Sequence, residues 1–106
     1  MFALLIALQV AVAPPAPALV PIVEPSGRVA KVLKSGDGLT KATAFKVKNI
    51  GEEYQILRTF GLEPGVEGLV TEPDGKAYDV LTAKNMKTGE TVELWFDISS
   101  FFGKGF

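Results

Sequence analysis

The chain has 106 residues, 11 basic against 12 acidic side chains for a net charge of −1, and neither cysteine nor histidine. That length bounds it to one domain, and the missing residue types exclude disulfides and every metal centre or nucleophile built on thiolate or imidazole. A bound cation has to be a hard one, held by oxygen.

Charge is unevenly placed along the chain. Residues 1–23 carry none, residues 28–48 hold six bases against one acid, and residues 49–97 hold ten acids against four bases. The simplest account lays the basic segment against the acidic one inside a single domain. A nucleic-acid surface asks for a basic excess over the whole domain with aromatics among the bases, and Phe45 is the sole aromatic of the basic run. Nucleic acid is therefore not an expected partner.

Residues 2–12 form an apolar stretch broken only by Gln9. Its length is that of the core of an export signal and well below the ~20 residues of a membrane-spanning helix. Pro14, Pro15, Pro17 and Pro21 follow, and each removes a helical hydrogen bond that lipid does not replace. Cleavage after Ala13 or after Ala18 suits the small residues there. No Lys or Arg precedes the apolar run, so the usual basic start of a signal is missing. An uncleaved membrane-surface anchor and a buried apolar terminus stand as the alternatives. The expected layout is a signal peptide or apolar anchor over residues 1–18, a Pro-rich tether over 19–35 and a small α+β domain over 36–106. The protein is expected outside the cytoplasm, periplasmic or secreted, with no transmembrane span after processing.

Within the domain, residues 29–33 read as a short strand or as part of the tether, and Ser35-Gly36-Asp37-Gly38 as a turn. Residues 44–47 alternate apolar and basic side chains as a half-buried strand does. Asn49, followed three residues later by Glu52, has the spacing of a helix cap, and Glu52 with Glu53 suits the positive end of the helix dipole. The helix spans about residues 52–60, with an apolar stripe through Ile50, Tyr54, Leu57, Ile56 and Phe60 and a stop at Gly61. Pro64-Gly65 is read as a turn. Three strands follow, over about 67–71, 77–84 and 91–98, joined by a strong hairpin signal at Glu72-Pro73-Asp74-Gly75-Lys76 and a weaker one at Lys87-Thr88-Gly89. Phe101 and Phe102 then tuck back onto the sheet. The fold class is α+β, one helix packed on an antiparallel sheet in the order β-α-β-β-β, an outline compatible with a cystatin-like roll.

Asp37-Gly38 with Thr43-Ala44, Glu53-Tyr54, Tyr78-Asp79, and Trp95-Phe96-Asp97-Ile98 with Phe101-Phe102-Gly103 carry a family likeness. Over about residues 36–104 the chain resembles a group of small bacterial exported proteins, a domain of unknown function whose most specific mark is the closing Trp-Phe-Asp-Ile-Ser-Ser-Phe-Phe-Gly run. The resemblance implies a bacterial, exported protein. It implies no activity.

One constellation depends on strand register. A three-residue loop in the second hairpin sets Tyr78, Val80 and Thr82 across from Ile98, Phe96 and Leu94 on the core face, and Asp79 across from Asp97, Leu81 from Trp95 and Ala83 from Glu93 on the other. Paired carboxylates in a sheet are destabilising, so such a dyad needs a neighbouring base, screening by water, or a bound cation or cationic ligand group beside Trp95. A two-residue loop dissolves the dyad. The expected function is a non-catalytic binding or interaction module in the cell envelope, with a protein partner, no cofactor, no catalytic residue and no assigned metal ligand. Its binding residues are Trp95, Asp79, Asp97, Leu81 and Glu93. The alternative is a carboxylate-based enzyme or hard-cation-binding domain using Asp79 and Asp97.

Overall fold

The computed structural model describes residues 19–104. The expected signal peptide or anchor, residues 1–18, lies outside the described residues. Among those described, no helix is long and apolar enough to cross a membrane. Over the described residues the fold is α+β, with two α-helices and a four-stranded sheet.

The first helix, α1 (Gly27–Lys34), occupies the stretch expected to be strand or tether. Val29, Val32 and Leu33 fall at helical spacing and turn onto the core, with Val32 fully buried. Lys31 and Lys34 in the last turn complement the negative end of the dipole. Ser35 ends the helix through its hydroxyl, which donates to the Val32 carbonyl at 2.6 Å and accepts from the Lys46 amide at 2.9 Å. Upstream, the extended segment lies against the body, since the Ile22 amide donates to the Thr59 carbonyl at 2.7 Å and Leu19 packs on the core.

After a loop and one 3₁₀ turn (Lys41–Thr43) comes β1 (Phe45–Lys46), shorter than expected. Gly38 in that loop has φ +74, and a Cβ there would stand 2.3 Å from the Phe45 ring, so only glycine fits. The second helix, α2 (Ile50–Thr59), starts where the Asn49 signal places it: Asn49 Oδ1 accepts from the Glu52 amide at 2.9 Å. Glu52 does not reach back to Asn49. Its carboxylate accepts from the Lys48 amide at 2.8 Å and from Arg28 Nε at 2.8 Å, tying α1 to the start of α2. The Arg28 guanidinium holds the Glu52 carboxyl below its usual range, mainly by hydrogen bonding. Asn49→Ala is expected to cost about 1 kcal/mol, read as a melting temperature lower by roughly 4–8 °C for a domain of this size.

The remaining strands are β2 (Leu62–Thr71), β3 (Ala77–Asn85) and β4 (Thr91–Asp97). β2 runs through Pro64-Gly65, which the sequence reading made a turn. The strand lies at the sheet edge, where proline's missing N–H costs no ladder bond, and the pairing with β3 shifts between Pro64 and Glu67. The first hairpin forms as expected, with the Gly75 amide on the Glu72 carbonyl at 3.0 Å and φ +94 at Gly75.

The sheet order is β1-β4-β3-β2, and β1 pairs with β4 in parallel, Phe45 beside Phe96. The sheet is therefore mixed where an antiparallel one was expected. The reason is the path: α2 carries the chain from β1 across the sheet to β2 at the far edge, and the meander returns β4 to β1.

The second hairpin corrects the expected register. Asn85 Oδ1 accepts from the Lys87 and Thr88 amides at 2.8 and 3.1 Å, and the Asn85 amide meets the Glu90 carbonyl at 2.7 Å. The loop is thus four residues long, and Asp79 lies across from Phe96, Tyr78 from Asp97 and Val80 from Trp95. One face of β3, with Ala77, Leu81 and Ala83, joins Leu94, Phe96 and Ile98 of the last strand region. On it pack Ile56, Leu57 and Phe60 of α2 with Val32, Phe45 and Val47. Each buried Val, Leu, Ile or Phe side chain among them contributes on the order of 1.5–3 kcal/mol. On β3 the expected core residues Val80 and Thr82 are only half-buried, because the one-residue slip exchanges the faces.

Candidate functional site: a groove with carboxylates in its floor

The core face carries two acids and meets a third. Asp79 follows the period-two alternation that also buries Leu81 and Ala83, so it points under α2 rather than to water. Glu67 on β2 lies across from Leu81, on the same face and diagonal to Asp79. Glu53 sits in the first turn of α2, one helical turn before Ile56 and Leu57, and is carried inward with them. Glu53 is 1 % exposed and Asp79 7 %, while Glu67 opens to solvent.

One oxygen from each of the three carboxylates lies within 4.8 Å of the others. Burial, then hydrogen bonding and charge from Asp79, then the charge of Glu67, push the Glu53 carboxyl up to about 9. Burial and the charge of Asp79 raise Glu67 as well. Glu53 Oε2 is buried and without a hydrogen-bond partner. The two ion pairs among the described residues, Arg28–Glu52 and Lys41–Glu72, both lie elsewhere. The basic segment thus makes its ion pairs with Glu52 and Glu72 rather than with this cluster.

Asp79 and Glu67 open into a groove of about 750 Å³. Its walls are the start of α2 at Ile50, the edge strand at Leu69, and the C-terminal turn at Phe101 and Phe102. Ile50, Leu69 and Phe102 are exposed hydrophobics, and Ile50 therefore belongs to a groove wall rather than to the core stripe expected of it. Phe101 packs partly on the core; the turn is held by the Phe101 and Phe102 amides on the Ile98 carbonyl at 3.1 and 2.9 Å. Lys48 stands at the rim. Apolar walls over an anionic floor suit a ligand with a positive charge.

The five residues singled out from the sequence divide between two faces. Trp95, Asp97 and Glu93 occupy the face away from α2: Trp95 packs edge-on against Tyr78 at 6.0 Å between ring centroids, Asp97 Oδ1 accepts from the Ser99 amide at 2.9 Å, and Glu93 is exposed across from Thr82. Leu81 is core, 1 % exposed, and Asp79 is buried beside it on the helix side. The Asp79–Asp97 dyad does not form, because the four-residue loop moves Asp97 across from Tyr78. Asp79 instead meets Glu53 and Glu67, which sequence reasoning passed over. The available signal was the spacing Glu53-Ile56-Leu57-Phe60, which puts an acid in line with the buried stripe; proximity to the helix N-terminus gave that acid an easier explanation.

Fold and groove together define a small α+β domain in which a helix closes a mixed sheet over an acidic floor. The family model described as "Domain of unknown function (DUF4919)" matches residues 27–104, and the chain belongs to that family. The match begins at the first residue of α1, upstream of the likeness read from the sequence. No curated protein and no solved structure matches the chain significantly.

Proposed function

We propose that the protein is a non-catalytic binding module, exported to the cell envelope, whose groove takes a ligand bearing a positive charge. The observation that carries this reading is the carboxylate floor: acids are set inward from three elements with no base among them, beneath apolar walls open to solvent. Carboxyl groups crowded together and partly buried are retained at a cost to stability, which a binding partner of positive charge recovers.

Export is supported by the uncharged apolar stretch before residue 19. Mass spectrometry of the protein recovered from an envelope fraction tests it, together with any co-purifying protein partner; an intact start in the cytosolic fraction overturns it. The alternative, an enzyme or cation site built on Asp79 with Asp97, needs both side chains on one face and has lost that geometry. The cystatin-like outline is an architectural analogy and transfers no inhibitory role.

Groove binding is tested by titrating labelled protein with hexylammonium and with calcium chloride and following backbone amide shifts. Changes confined to Ile50, Leu69, Asp79 and the Phe102 turn are expected with at least one of them. Uniform small shifts with both overturn the reading.

A further inference from the structure

We propose that Glu53, Glu67 and Asp79 bind one hard divalent cation of the calcium class, and that this ion is the positive charge for which the groove is built. The inference rests on the binding reading above and narrows its ligand.

The donor set comes first. Three carboxylates from α2, β2 and β3 converge with an oxygen of each inside a 4.8 Å span. Calcium holds oxygens at about 2.3–2.6 Å, so two of its ligands sit up to roughly 4.6–5.2 Å apart. Three oxygens within 4.8 Å of one another lie at most about 2.8 Å from a common centre, so one calcium ion reaches all three acids after side-chain shifts of a few tenths of an ångström. Magnesium, at about 2.0–2.1 Å, would have to draw them together. Carboxylates alone, in a chain without histidine or cysteine, also select against zinc and copper.

A second, independent observation concerns Glu53. Its side chain is shut away at 1 % exposure, converges on the other two, and leaves Oε2 without a partner. A buried polar atom in that condition asks for an unseen partner, and an ion meets the need of all three acids at once. A proton shared between Glu53 and Asp79 is the rival account. It leaves the buried Glu53 Oε2 without a partner.

Geometry on the open side completes the argument. Calcium takes six to eight oxygens, and the groove brings water to the Glu67 and Asp79 side of the cluster. The apolar walls of Ile50, Leu69 and Phe102 then flank an ion that is anchored below and hydrated above. Such an ion locks the start of α2 onto the sheet. Binding should therefore register as stability.

The test uses the full chain, stripped with chelator and melted at matched ionic strength with calcium, magnesium, manganese or hexylammonium chloride at millimolar concentration. Calcium is expected to raise the melting temperature by ~5 °C or more, with a smaller rise for magnesium. Glu53→Gln and Asp79→Asn, each checked for a cooperative melt, should lose the calcium response, while Glu63→Gln, on the strand that carries Glu67, keeps it. Calorimetric titration should give one ion per chain. A calcium rise that survives in Glu53→Gln overturns the site, and so does an unmoved wild-type melt. If hexylammonium alone stabilises the protein, the cation site falls and the groove reading stands. If no probe stabilises it, both fall.

Discussion

Glu53→Gln is expected to make the chelator-treated protein more stable, and to do so more at pH 8 than at pH 5. The folded protein holds the Glu53 proton up to about pH 9, whereas an unfolded chain gives it up near the usual carboxylate value of 4.5. Between those limits the folded state binds more protons than the unfolded one, so stability falls as pH rises, by at most about 1.4 kcal/mol per pH unit for one group. Glu67 is raised too and adds a decline of the same sign. Glu52 acts in the opposite sense: its carboxyl is lowered by Arg28, so its contribution is full above the ordinary carboxylate range and is lost as pH falls through the lowered value. Metal-free protein should therefore be most stable in mildly acidic solution, near pH 5. Glutamine keeps the shape, does not ionise, and offers an amide donor to Asp79. Urea titrations at pH 5, 7 and 9 read the effect directly; wild-type stability that stays level or climbs from pH 6 to 9 contradicts it.

Phe96→Ala is expected to leave most of the chain unfolded at 37 °C. Phe96 is fully buried in β4 at the centre of the sheet, between the parallel partner Phe45, at 5.7 Å between ring centroids, and Asp79 across the antiparallel pair. Truncating a buried phenylalanine to alanine costs about 3–5 kcal/mol, through lost transfer energy and the cavity left behind. A domain of this size has a total stability of roughly 4–13 kcal/mol. Small size and the lack of any disulfide put this domain toward the low end of that range, where the loss takes most or all of the margin. Phe96→Leu should cost less than half as much and keep a cooperative melt. Circular dichroism of the two variants separates these outcomes, and an alanine variant melting within a few degrees of wild type counts against the central position of the ring.

What the sequence reveals here is chemistry that acts over a few residues. Asn49 caps α2 because its side chain meets an amide three residues on, and Glu72-Pro73-Asp74-Gly75-Lys76 turns because proline and glycine set local dihedrals. The segment containing Val29, Ala30, Lys31, Val32 and Leu33 is too short to separate a helical period from an alternating one, and α1 is decided by tertiary packing of Val32. Register was harder still. Whether the loop after β3 has two, three or four residues depends on Asn85 binding two amides, and each step exchanges both faces of the strand pair. The carboxylate cluster inherits that sensitivity, since Asp79 is inward in one register and outward in the next. Glu53 was hidden for another reason: an acid in the first turn of a helix already has a favourable place, so nothing local marks it as buried.

The parallel pair of β1 and β4 has a consequence for how the chain is made. Phe45 and Val47 emerge from the ribosome early, but the strand that shelters them lies half the chain later, at Phe96 and Asp97. Until that last strand arrives, β1 has no neighbour and the apolar side of α2 has only part of its platform. Native closure must therefore wait until β4 has been synthesised, a non-local contact pattern that slows folding and prolongs exposure of the apolar segments. A nascent chain halted before residue 91 is thus a natural client for a chaperone, and one that stays threadable through a narrow channel.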